Sequence, residues 1–308
     1  MDRVKSVNYQ KICIMTVLSL IFFGTIGVST AHFTMLFPGE DMDVTALDYI
    51  AKEGETMTIR IVWGHPCEHV LFDCPVVPEV YVRDPNGVVT NLDPSEIEVE
   101  GVKAYKVSFT VEKRGDYILH AKLNVPDHKL LDHTKTIIHC GEEEWNGWDA
   151  ELGEIVETVP YVRPYGIEEG FVFSGRALYE GEPLQYATVE VEKYYPGSEG
   201  DKIVKAAESM FSDDPPMMFT RVVKTNKNGD FSYTLDEPGI WFVGAYKESG
   251  DFEERGVIIV PVLESFPTGE SKVEEKTLPS TTLEYSTIGI TIITLVIAIL
   301  VILTKKSR

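Results

Sequence analysis

The chain has 308 residues, seven histidines, four cysteines and a formal charge of −21. Without Asp2 and the basic residues of the first 31 and last four positions, 22 basic residues face 48 acidic ones, a charge near −26. That balance argues against nucleic acid and anionic lipid surfaces as partners and would concentrate cations; a solvated acidic surface that keeps the protein soluble accounts for it equally well.

Lys5 and Lys11 precede an apolar run from Ile12 to Val28 that closes on Ser29-Thr30-Ala31, a small-x-small pattern. This predicts a signal peptide over 1–31, with an uncleaved anchor as the other reading. At the far end, 286–304 is long and apolar enough for one transmembrane helix, and the basic tail 305–308 should stay in the cytoplasm. The expected arrangement is a single-pass cell-membrane protein with its ectodomain outside the cytoplasm.

Between these ends the expected fold is all-β, as two antiparallel β-sandwich domains. The first spans 32–147. It carries short alternating runs such as Met57 to Trp63, Val80 to Arg83, Ala104 to Val111, Tyr117 to Leu123 and Thr134 to Cys140. Turn signals such as Asp84-Pro85-Asn86-Gly87 and Lys113-Arg114-Gly115-Asp116 separate them. Short strands at 8–12-residue spacing with Gly/Pro/Asn turns read as a sandwich. A connector over 148–168 is rich in Pro, Gly and acidic residues. The second sandwich spans 169–263, and only Asp201 to Phe211 reads as a short exposed helix. The Ser/Thr/Pro-rich segment 264–285 reads as a flexible stalk.

Chemistry-bearing residues concentrate in Gly64-His65-Pro66-Cys67-Glu68-His69. Gly64 and Pro66 should end the strand, which leaves two imidazoles four residues apart on a loop over a rigid sheet. His32 would become the new N-terminus after cleavage, where its amine and ring can chelate one ion. A third nitrogen from His65 or His69 would complete a set that suits Ni(II), Co(II) or Cu(II). Exposed polar residues at a strand end and at a frayed terminus are the plainer reading. His139-Cys140 ends a predicted strand and could supply His139 as a fourth ligand or a Cys140 thiolate, and Cys67 is a candidate soft ligand. Glu68 and Asp73 are candidates for fixing a histidine tautomer. His120 reads as a core or edge histidine, while His128 and His133 fall in the polar stretch Asp127 to His133 and read as solvated. Past the leader's Cys13, three cysteines remain: Cys67 can pair with Cys74 or Cys140, or all three can stay thiols. No Gly-x-Ser-x-Gly, His-Glu-x-x-His or Walker-type loop occurs, and no nucleophile has an evident base, so no catalysis is expected.

Ala31-His32, Gly64 to Asp73, Asp84-Pro85-Asn86-Gly87, Lys135 to His139, Gly147-Trp148-Asp149 and Glu157 to Tyr165 together resemble an exported family once annotated NikM-like and associated with nickel and cobalt uptake. That family usually has an aromatic residue where this chain has Cys67. Gly181-Glu182-Pro183-Leu184, Ala187 to Val191 and Thr225 to Phe231 resemble carboxypeptidase-regulatory-like or transthyretin-like sandwiches, which are usually structural. The resemblance implies an extracytoplasmic accessory protein that passes Ni(II) or Co(II) to a permease, with His32, His65 and His69 as ligands and His139 less certain. Two alternatives stand beside it: an adhesive surface protein that binds a protein or glycan, and a copper-handling protein using the N-terminal histidine.

Overall fold

The computed structural model describes residues 32–142, 144–210 and 220–266. The leader, most of the stalk and the 286–304 segment lie outside these. Among the described residues no helix is long and apolar enough to cross a membrane.

The described chain is predominantly β, built as three sheets in layers. The first sheet runs Phe33–Pro38, Thr56–His65, Val102–Thr110, Ser95–Val99, with Val70–Phe72 paired to Thr56–His65. The ten-stranded middle sheet runs Arg221–Lys224, Thr188–Lys193, Gly239–Ser249, Phe252–Leu263, Leu130–Cys140, Gly115–Val125, Glu79–Arg83, Val89–Leu92; short strands Ile50–Ala51 and Ile167–Glu168 add to it. The third holds Val156–Pro160, Phe171–Tyr179, Glu182–Pro183 and Asp230–Leu235.

The middle sheet spans the two segments read from sequence as separate sandwiches. Its seam is a parallel pairing of Leu130–Cys140 with Phe252–Leu263, from Leu130↔Glu253 to Lys135↔Ile258. The sheet is therefore mixed rather than wholly antiparallel. Alternation explains why it can serve both sides. Val257 and Ile259 enter a core with Phe33, Met35 and Ile59, whereas Ile258 and Val260 enter one with Phe173, Phe231 and Leu235. A strand buried on both faces reads as the unbroken apolar run of 256–262. One α-helix, Gly197–Met210, occurs among the described residues; it begins four residues before the stretch expected from sequence, whose last residue, Phe211, lies outside the described residues.

Candidate metal centre

The strand Thr56–His65 turns back at Pro66-Cys67-Glu68-His69 into Val70–Phe72, with register Trp63↔Phe72, Gly64↔Leu71, His65↔Val70. The segment read as a loop is thus a hairpin tip, with His69 in the left-handed region at φ 50°. Gly64 is required where the hairpin closes, because a Cβ there would stand 2.0 Å from the Val70 carbonyl oxygen. On the other side Phe33 pairs with Gly64. One step further along this antiparallel ladder brings His32 opposite His65, on one face with Trp63 and Phe72.

Their rings touch. His32 stacks on Trp63 at 5.5 Å and 6°, lies 4.7 Å from the His65 ring and meets Phe72 at 5.1 Å. His128, from the tight turn Pro126–His128, meets the His32 ring edge-on at 5.2 Å. His128 is exposed, as its polar surroundings implied, yet it joins the cluster. Glu68 lies 3.0 Å from His65 Nδ1, while His65 Nε2 is buried and, among the described residues, has no hydrogen-bond partner. A carboxylate on Nδ1 selects the tautomer that leaves a lone pair on Nε2.

The other residues singled out from sequence take different partners. His69 places Nε2 2.8 Å from Glu100 and Nδ1 3.1 Å from the Tyr194 hydroxyl, so both ring nitrogens are engaged. His139 Nδ1 lies 2.7 Å from Asp116, and its ring stacks on Tyr165 at 4.5 Å. Cys67 is buried, and burial followed by the charge of Glu192 pushes its thiol well above the ordinary range. Asp73 accepts the Lys103 backbone N–H and touches no histidine in that bond. The three described cysteines are free thiols.

A second histidine cluster lies where the sequence marked none. His133, placed by polarity in a solvated loop, is inside the strand Leu130–Cys140 and only 4% exposed. The polarity of Asp127 to His133 misleads because its buried members are paired: Asp132 with Arg255, and His133 with Glu154. His133 Nδ1 lies 3.3 Å from His120 Nε2 and 3.1 Å from Glu154, and His120 Nε2 lies 3.8 Å from the other Glu154 oxygen. Burial drives the His120 pKa down to about 3 despite the opposing charge of Glu154. Burial would raise Glu154, but the hydrogen bond with His133 and the charge of His120 bring it down to about 2. Beside the cluster, Lys135 and Glu157 form a buried ion pair of 2.7 Å.

The fold and these sites define a layered β-sandwich protein with imidazole clusters at a sheet edge and inside the fold. The chain belongs to the family described as domain of unknown function DUF4198, which matches residues 29–249. Among curated proteins none matches the sequence. Solved structures match only distantly. A trypsin-activated alpha-2-macroglobulin from Escherichia coli aligns at 13% identity over 75% of this chain and 16% of its own, with a TM-score of 0.21. The D0-D1 domain of intimin aligns at 12% identity over 76% of this chain and 100% of its own, with a TM-score of 0.21. The chain thus spans about a sixth of the length of the first of these, and likeness at this level bears on neither fold nor function.

Proposed function

We propose that the protein is a membrane-anchored, extracytoplasmic metal-binding accessory protein that captures a divalent transition metal, Ni(II) or Co(II), and passes it to a membrane permease. The ion sits at His32 and His65. The observation that carries the reading is the pairing of these imidazoles at 4.7 Å, with Glu68 on one nitrogen of His65 and, among the described residues, no hydrogen-bond partner on the other. After leader cleavage the His32 amine and ring supply two nitrogens and His65 Nε2 a third, an N-rich set suited to late first-row divalent ions. The resemblance to nickel- and cobalt-associated proteins favours those two metals. Tethering near a permease raises the ion's effective concentration there without demanding high affinity.

The test is calorimetric titration of the processed, untagged protein with Ni(II), Co(II) and Cu(II). One ion bound at this site, lost in His65→Ala and on acetylation of the terminal amine, is expected. Binding of nickel or cobalt that survives both changes would refute the His32–His65 site. Strong preference for copper would replace nickel handling with copper handling at the same residues.

A further inference from the structure

Three Lewis-basic atoms converge inside the molecule, well apart in their bonding from the His32–His65 cluster. His120 belongs to the strand Gly115–Val125 and His133 to its neighbour Leu130–Cys140. The register His120↔Lys135 places His120, Lys135 and His133 on one face of the middle sheet. Glu154 comes from the irregular stretch 144–155 that leads into Val156–Pro160.

His120 Nε2 and His133 Nδ1 lie 3.3 Å apart; His133 Nδ1 is 3.1 Å from Glu154 Oε2 and His120 Nε2 is 3.8 Å from Glu154 Oε1. A tetrahedral zinc-type ion with bonds of about 2.0–2.1 Å needs ligand atoms about 3.3 Å apart. The two ring nitrogens already stand at that edge, and each has a Glu154 oxygen within 3.8 Å, on two neighbouring strands and one carboxylate. Tyr81 donates its hydroxyl hydrogen to Glu154 at 2.8 Å and stacks on His120 at 4.7 Å, so it orients two of the three groups.

Proton accounting points the same way. His133 Nδ1 faces both His120 Nε2 and Glu154, so a single ring proton would have to be shared between the two contacts. The remaining ring atoms, His120 Nδ1 and His133 Nε2, are buried and, among the described residues, have no hydrogen-bond partner. A divalent ion satisfies the three inward atoms at once and leaves the protons on the outward nitrogens. Beside them lies a cavity of about 10 Å³, about the room one water needs. Glu154 retains 21% side-chain exposure, which gives an ion a way in.

We propose that His120, His133 and Glu154 bind one zinc-type divalent ion, with a water as fourth ligand, as a structural clasp that fixes the 144–155 stretch to the middle sheet. The adjoining cavity of about 10 Å³ has room for about one water, which suits a structural site. This clasp does not depend on the His32–His65 reading.

The test uses the full-length, untagged protein, stripped with a chelator and reloaded with Co(II), whose visible spectrum distinguishes tetrahedral from octahedral coordination. The clasp gives an intense tetrahedral spectrum that survives His65→Ala and disappears in Glu154→Gln. Zinc then raises the thermal midpoint of the wild type and of His65→Ala by several degrees, and that of Glu154→Gln not at all. Should Glu154→Gln fail to fold, Tyr81→Phe serves in its place, with affinity expected to fall about 10–100-fold through loss of carboxylate orientation. A folded His65→Ala protein that takes up no cobalt, a tetrahedral spectrum unchanged by Glu154→Gln, or a cobalt affinity unchanged by Tyr81→Phe overturns the proposal and leaves a hydrogen-bonded histidine–glutamate core.

Discussion

Asp132 and Arg255 are register partners across the parallel seam of the middle sheet, and their Oδ1 and Nε atoms lie 3.0 Å apart with both residues buried. The second Asp132 oxygen accepts the Thr34 backbone N–H at 3.0 Å and the Thr34 hydroxyl at 2.7 Å. Arg255 also donates to the His32 carbonyl oxygen and lies over the Phe33 ring at 4.4 Å. The last strand of the fold therefore holds the start of the first, and with it one histidine of the candidate metal centre. Breaking a buried pair strands the remaining charge, at a cost of about 3–5 kcal/mol. Arg255→Met is expected to destabilise by that amount in urea unfolding. It should also weaken nickel binding, because the His32 backbone loses its anchor. The double variant Arg255→Met/Asp132→Leu should recover part of the stability, since no orphan charge remains.

Gly64 offers a steric test of the hairpin. A methyl group there overlaps the Val70 carbonyl, so the two strands must part. Gly64→Ala is expected to cost about 1–3 kcal/mol through overpacking. It should also shift His65 away from His32 and raise the nickel Kd in calorimetry. A variant with unchanged stability would show that the hairpin closes less tightly than described.

Glu192 makes stability depend on pH in an unusual direction. Burial raises its carboxyl pKa to about 7 against the opposing hydrogen bond from Thr220. Between the unfolded value near 4.5 and the folded value, the folded chain holds a proton that the unfolded chain has released. Its contribution is therefore fully present below pH 4.5 and lost as pH rises through 7. At about 1.4 kcal/mol per pKa unit, the swing is on the order of 3 kcal/mol. Glu192→Gln should remove this component, leaving the variant relatively more stable at pH 8 than at pH 5. Denaturation curves at the two pH values measure it, and an equal effect at both would contradict the assignment.

The thiols give a kinetic readout. Burial pushes Cys67, Cys74 and Cys140 upward, with Cys74 reaching about 11. Protonated, enclosed thiols react slowly. Iodoacetamide is expected to label none of the three quickly in the native reduced protein and all three in guanidinium, as read by mass spectrometry. Rapid native labelling of Cys67 would mean that the hairpin tip opens away from Glu192.

Much of the layout was legible as pattern. Alternation marked Met57 to Trp63 and Tyr117 to Leu123 as strands, and the stretch that became Gly197–Met210 read as the one helix. Glu68 was readable as a tautomer-setting partner from its place between His65 and His69, and it contacts His65. His133 and Glu154 were not readable. A buried polar residue looks like a loop residue until its partner is known, and these partners come from distant stretches of chain.

The sequence by itself determined the β character, the turn positions and the acidic balance, because these follow from local conformational preference and composition. It also placed His32 and His65 in one short list of candidates. Only the tertiary structure decided which histidines meet. The antiparallel register sets His32 opposite His65, the hairpin tip turns His69 to Tyr194 and Glu100, and strand pairing with a later carboxylate assembles His120, His133 and Glu154. The parallel seam that merges two expected sandwiches into one layered body belongs to the same class of fact. Each depends on which non-local strand supplies the missing hydrogen bonds and buries the exposed face, and no local pattern carries that information.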